Sequence, residues 1–156
     1  HGRVIGIDID IRPHNRAAIE QSPLSRRITM LEGSSIDPAI ARTVHSLVGT
    51  GQRVLVCLDS NHTHDHVLRE LEIYSPLVSP GSYCVVFDTG IEDLPAELFL
   101  DRPWGPGNNP KTAVREFLRS TDRFVIDKGI EDRLLITAAP DGYLRCVAAA
   151  GQEAGR

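Results

Sequence analysis

The residues able to do chemistry gather just after short apolar runs. "RVLVCLD" ends on Asp59, and "SNHTHDH" then brings His62, His64, Asp65 and His66 in quick succession. "GSYCVVFD" ends on Asp88. Two carboxylates at the ends of neighbouring strands can bind Mg²⁺, which prefers hard oxygen donors and keeps several waters. His62, three residues beyond Asp59, can reach the same cleft, and an imidazole is the usual general base for a hydroxyl. The plainer alternative has Asp59 capping a helix and His62 on its exposed first turn. A zinc site is not indicated. His62 and His66 have helical i, i+4 spacing, but no glutamate follows His62 and no third ligand is evident. His64 and Asp65 are expected to face solvent, and His66 either faces outward or packs under a loop.

Two further strand ends carry polar groups. In "GIDID", Asp8 can accept hydrogen bonds from ribose hydroxyls, with Asp10 as understudy, or both are solvated strand-end carboxylates. In "EGSS", Gly33 lets a planar base approach the backbone. Ser34 and Ser35 either meet adenine edges or cap the following helix.

The elements that must position these groups alternate in type. "RVIGIDIDI" (3–11) reads as a strand, and Pro13 suits the start of a helix over 14–22. "RITMLEG" (27–33) is a second strand. "SIDPAIARTVHSLVG" (35–49) is a helix capped by Asp37, with Ile36, Ile40, Val44, Leu47 and Val48 on one face. "RVLVCLD" (53–59) has the apolar character of a strand covered on both faces. A helix over 63–78, a buried strand over 81–88 and a long Gly/Pro-rich loop over 89–109 follow. The loop precedes a helix over 110–120 that Asn109 caps. "RFVID" (123–127) is a strand, and "RLLITAA" (133–139) with "YLRCVAA" (143–149) are expected to form a hairpin around "PDG". Repeated βα units predict a mostly parallel, doubly wound α/β sheet with a C-terminal antiparallel hairpin. Ligands of such sheets bind beyond the carboxyl ends of the strands, where all the groups above lie.

Composition narrows the function. The chain has 156 residues with an ordinary apolar and charged content, which suits one domain. A formal charge of −4 and the lack of any long lysine or arginine run argue against nucleic acid as a partner. No apolar stretch is long enough to cross a membrane. Cys57, Cys84 and Cys146 each sit in an apolar run and are expected to pack as buried thiols. An odd number of cysteines without a CxxC pair fits a reducing cytoplasm.

"VIGIDIDIRPHNR", "LDSNHTHDHVLRELEIYSPLVSPGSY", "DTG" and "RPWGPGNNPKTAVREFL…RLLITAAPDGYLRCV" together resemble the cephalosporin hydroxylase/rhamnosyl O-methyltransferase family. The resemblance runs from about Gly2 to Val147. It implies a Rossmann-like, S-adenosylmethionine-dependent methyltransferase. Such an enzyme transfers a methyl group to a hydroxyl of a small natural product, often a sugar in antibiotic biosynthesis, with Mg²⁺ in many members. Carried over by position, the cofactor-binding residues would be Asp8, Asp10, Ser34, Ser35 and Asp59. Asp59 and Asp88 would be metal ligands, and His62 the base that deprotonates the acceptor.

The sequence departs from that pattern twice. The family usually reads Glu-Asp where this chain has "VVFDT", so Phe87 stands at a usual ligand position and weakens a Mg²⁺ site. The family's first strand and glycine-rich turn would precede "GRVIGIDID" and do not appear. The expected domain over 1–149, followed by a tail at 150–156, is therefore N-terminally incomplete, and assembly into a homo-oligomer is expected. The competing function is a non-catalytic or hydroxylase-associated, cofactor-binding or interaction protein of the same fold. Against hydroxylation stands the lack of a full two-His-one-carboxylate set.

Overall fold

In the computed structural model, residues 2–150 are described; residues 151–156 of the expected tail lie outside them. The β-branched run Val4–Asp8 (β1) pairs in parallel with Ile28–Glu32 (β2), from Val4 opposite Ile28 to Asp8 opposite Glu32. Helix α1 (Pro13–Gln21) connects them and starts on Pro13, whose fixed φ suits the first turn. Helix α2 (Pro38–Leu47) follows β2. The Asp37 carboxylate accepts from the backbone N–H groups of Ala39 (2.6 Å) and Ile40 (3.3 Å), the predicted cap. These elements make up the first of two compact units, which ends at Val48.

The second unit begins at Gly49. Its strands are Val56–Leu58 (β3), Tyr83–Val86 (β4), Phe124–Ile126 (β5) and Tyr143–Cys146 (β6). Its helices are His64–Tyr74 (α3), Pro110–Arg119 (α4) and Lys128–Leu134 (α5). The sheet order is β3-β4-β6-β5, with β3 and β4 parallel and β6 antiparallel to both of its neighbours. Helices α3 and α4 pack together and bury Val67, Leu71, Ala113, Val114 and Phe117. Cys84, Val86, Leu144 and Cys146 of the strands are also buried. Asn109 caps α4 as predicted, and Thr112 returns the bond to the Asn109 backbone N–H to complete a capping box. The Arg123 guanidinium ties the segment after α3 to the one after β6 by donating to the carbonyls of Ser75, Val78 and Ala148.

The mixed α/β architecture and the C-terminal antiparallel pair agree with the sequence reading, but the pair is built from other residues. Its strands are β5 and β6; the stretch 133–139 is the end of α5 and a turn. The cause is local. Asp127 accepts from the Gly129 N–H and starts a helix, and Lys128 pairs with Glu131 one turn on. Leu134, Leu135 and Ile136 consequently remain exposed. Strand β3 also differs from expectation. It is an edge of its sheet, so Cys57 is exposed while Cys84 and Cys146 are buried.

One glycine sets the approach of the C-terminal turn to β4. Gly142 donates to the Ala139 carbonyl, and its own carbonyl accepts from the Val86 N–H. A Cβ at Gly142 would lie 2.1 Å from the Val86 carbonyl oxygen, so the backbone itself would have to move. Gly142→Ala is expected to cost about 1–3 kcal/mol, read as a lower urea midpoint with unchanged slope.

Candidate functional site

Asp59, His62 and Asp88 come together in the second unit. One ligand atom from each lies within 4.8 Å of the others. The His62 Nε2 is 3.0 Å from Asp88 Oδ2 and 3.9 Å from Asp59 Oδ1. Each residue owes its place to a strand end. Asp59 follows β3. Asp88 lies two residues past β4, after the Phe87 N–H has extended the pairing to the Leu58 carbonyl. Asp88 has φ of +55°, in the left-handed region that aspartate tolerates better than most side chains. A 3-10 turn over Thr89–Asp93 begins directly after it, and the buried Thr89 hydroxyl anchors that turn on the Pro140 carbonyl.

The turn between Asp59 and His62 is fixed from beneath. The Ser60 hydroxyl donates to Oε1 of Glu70 at 2.7 Å, a glutamate only 2% exposed. The second Glu70 oxygen is buried and has no hydrogen-bond partner among the described residues. Asn61 accepts from the N–H and hydroxyl of Thr63. The Asp59 carboxyl is pushed above its ordinary pKa. Partial burial is the largest cause, followed by the charge of Asp88 and a hydrogen bond with it; His62 opposes these. Two carboxylates this close favour a shared proton or a shared cation.

The other two histidines of that stretch, His64 and His66, make side-chain contacts. His64 is half-buried: its Nδ1 lies 2.8 Å from the Thr112 hydroxyl and its Nε2 3.2 Å from Glu116, joining α3 to α4. This corrects the expectation that it faces solvent, which overlooked how closely α4 packs. Asp65 is exposed as expected. His66 turns inward to Ser60 (3.3 Å) and Glu70 (3.7 Å).

Asp8, Asp10, Ser34 and Ser35 lie at the ends of β1 and β2 in the first unit. Asp8 Oδ1 accepts from the Asp10 N–H at 3.0 Å, which shapes the turn after β1, and both residues are exposed. The Gly33 N–H donates to the Asp8 carbonyl. Gly33 has φ of +146°, and a Cβ there would press on Ile40 at 3.1 Å. Helix capping falls to Asp37 rather than to the serines. Ser34 accepts from the Asp37 N–H through its carbonyl, and Ser35 is 8% exposed. The four residues thus form one group within their unit, and Asp59, His62 and Asp88 form another within theirs.

A mixed α/β chain with polar groups at its strand ends invites comparison with known proteins. Residues 1–147 match the family model described as rhamnosyl O-methyltransferase/CmcI. The chain belongs to that family. It is 33% identical over 127 residues to the rhamnosyl O-methyltransferase of Mycobacterium bovis (strain BCG / Pasteur 1173P2), covering 78% of this chain and 49% of the relative. To the rhamnosyl O-methyltransferase of Mycobacterium leprae (strain TN) it is 28% identical, covering 91% and 58%. The chain therefore spans about half the length of the curated relatives it matches. In fold it is similar to the MycE methyltransferase of the mycinamycin pathway, solved in complex with Mg, SAH and mycinamycin VI. That likeness has a TM-score of 0.55 and 16% identity, and covers 99% of this chain and 39% of that one.

An aromatic ring lies beside His62. Trp104 packs against the imidazole with centroids 4.9 Å apart and planes at 70°. It is the sole tryptophan of the chain and stands in the long loop before α4. The loop is held by Glu92, whose carboxylate accepts from the Gly107 N–H (2.7 Å) and the Asn109 amide (2.5 Å) and pairs with Arg115 (3.2 Å). The Gly107 N–H is the main reason that the Glu92 pKa lies below its ordinary value. Burial works the other way, and the Asn109 amide and Arg115 then add to the lowering. A depressed folded-state pKa means that Glu92 stabilises the fold above the ordinary glutamate pKa. That stability is lost as pH falls through the lower folded value. Glu92→Gln should therefore be less stable than the parent at neutral pH. The gap should close as pH falls below about 4, followed by urea unfolding across a pH series.

Proposed function

We propose that the chain belongs to an S-adenosylmethionine-dependent O-methyltransferase whose substrate is a hydroxyl of a small molecule, a sugar in particular. The single observation that carries this reading is the 3.0 Å contact between His62 Nε2 and Asp88. A carboxylate held there keeps the ring proton on Nε2 and orients the imidazole, leaving the Nδ1 lone pair to accept the acceptor's hydroxyl proton. As the oxygen gains charge it attacks the sulfonium methyl group, the carbon–sulfur bond breaks, and S-adenosylhomocysteine leaves. Family membership supports the cofactor, and Asp8, Asp10, Ser34 and Ser35 after β1 and β2 are the groups assigned to its ribose and adenine. Asp59, which follows β3, is assigned to the cofactor as well.

The donor set fits a hard cation. Asp59 and Asp88 would hold Mg²⁺ through carboxylate oxygens, with water filling the remaining positions. Bound there, the ion would supply Lewis acidity that lowers the acceptor hydroxyl's pKa. Phe87 contributes no donor, so this set carries less charge than one with a third carboxylate.

Free cysteines, one of them exposed, favour a reducing cytoplasm. Among the described residues no helix is long and apolar enough to cross a membrane. The β3 edge, with Leu55 and Cys57 exposed, supports assembly with further copies.

The test uses the full-length protein with labelled S-adenosylmethionine and a panel of glycosides. His62→Ala is expected to lower kcat by about 10²–10⁴, with calorimetric binding of S-adenosylhomocysteine unchanged. Full activity in His62→Ala removes the base role. No cofactor binding by the full-length parent removes methyl transfer altogether and favours an interaction role.

A further inference from the structure

Trp104 is the sole tryptophan of the chain, and it touches the base. Its surroundings decide whether it is a flap that happens to rest there or a fixed part of the site. The backbone on both sides is tied down. The Asn108 amide donates to the Pro103 carbonyl at 2.8 Å, and the Asn109 amide donates to the Gly105 carbonyl at 2.9 Å. Gly105 and Asn108 exchange both backbone hydrogen bonds, and the Asn108 side-chain oxygen accepts from the His64 N–H. Glu92 closes the ring of contacts through Gly107 and Asn109.

The start of the loop is pinned as well. The Lys111 side chain is only 5% exposed, and its ammonium pairs with Asp93 at 2.5 Å and Asp141 at 3.2 Å. Asp141 also pairs with Lys128. A buried ammonium holds its carboxylate partners in place, because each one that leaves reduces the compensation of a charge kept from water. By contrast Leu98 and Leu100, between the two anchored stretches, are 62% and 86% exposed. The loop is therefore held at both feet, with exposed leucines in its middle, and Trp104 stands in the foot nearest His62.

From this geometry we propose that Trp104 positions the His62 imidazole against Asp88 and selects ring-shaped acceptors by offering them an aromatic surface beside the base. The inference rests on the methyl-transfer reading above and gives its acceptor a shape. An imidazole pinned only by one carboxylate can still swing about its Cβ bonds. A ring set at 70° to it removes that freedom and leaves the Asp88 contact as the preferred one. A pyranose has an apolar C–H face and a rim of hydroxyls. Laid against an indole, it would bring a rim hydroxyl to the imidazole, whereas an open-chain polyol with the same hydroxyls has no such face. Arg102, with its guanidinium carbon 5.6 Å from the Trp104 centroid, steadies the ring from the same segment.

Because the chain has a single tryptophan, its fluorescence reports this position alone. In the full-length protein any further tryptophan is first replaced by phenylalanine. With S-adenosylhomocysteine bound, methyl rhamnoside is expected to protect Trp104 from acrylamide quenching, and the open-chain rhamnitol is not. His62→Ala should change the Trp104 emission maximum without any ligand. In turnover, Trp104→Ala should raise the acceptor KM at least about tenfold and lower kcat, with the KM for S-adenosylmethionine unmoved. Trp104→Phe should recover most of both losses.

Equal protection by the rhamnoside and the polyol, or by neither, overturns the acceptor role. Parent-level kcat in a folded Trp104→Ala, or emission indifferent to His62→Ala, overturns the positioning role. The quenching and emission arms need no variant at Trp104, so they decide even if Trp104→Ala fails to fold. A parent that protects Trp104 with the rhamnoside yet transfers no methyl group overturns the methyl-transfer reading while leaving ring recognition in place.

Discussion

The backbone at Asp88 is the constraint on which the second unit's site depends. Strand β4 runs buried as far as Val86, and two residues later the chain turns left-handed and enters a 3-10 turn. That change of direction places a carboxylate within hydrogen-bonding distance of His62 and close to Asp59. It is held by neighbours rather than by Asp88 itself. Thr89, fully buried, is bonded to Pro140, and Gly142 packs directly on the Val86 carbonyl. A left-handed non-glycine residue persists where its surroundings over-determine it, and such residues gather at functional sites.

The same logic extends outward through charge. Glu70 holds Ser60 from below the sheet end, Glu92 holds the loop foot, and Lys111 bridges Asp93 to the turn before β6. Each is a buried or half-buried ionisable group that would cost stability if unpaired. Each bond lies beside a residue of the site or of the loop that reaches it. The unit thus keeps several polar groups inside, where apolar side chains would be the cheaper choice for stability alone. The return is a set of side chains with few alternative positions.

Much of this was legible in the sequence where the signal is local. Asp37 and Asn109 read as caps because a short polar side chain before a proline has little else to do, and both cap as read. The parallel pairing of β3 with β4 and the antiparallel C-terminal pair follow the expected α/β pattern. The misread elements are those in which a side-chain contact outweighed the apolar run. "RLLITAA" looks like a strand, but Asp127 caps a helix leading into it. His64 looked like helix surface, yet it is a joint between α3 and α4, and spacing along one helix cannot reveal a partner on another. Trp104 on His62 was beyond reach for the same reason, since the contact spans forty-two positions of sequence (104 − 62 = 42) and depends on a loop with its own internal bonds.

Phe87 gains meaning in this setting. Its backbone N–H continues the β3–β4 ladder to Leu58, so the position is needed for pairing whatever side chain it carries. An acid there would add a third negative charge beside Asp59 and Asp88, two groups already close enough that Asp88 raises the Asp59 pKa. Such a trio is tolerable with a divalent cation and costly without one. With phenylalanine no third carboxylate adds to the repulsion between Asp59 and Asp88. On the proposed methyl-transfer reading, a phenylalanine here would shift the burden of activating a hydroxyl from a cation towards His62 and Asp88.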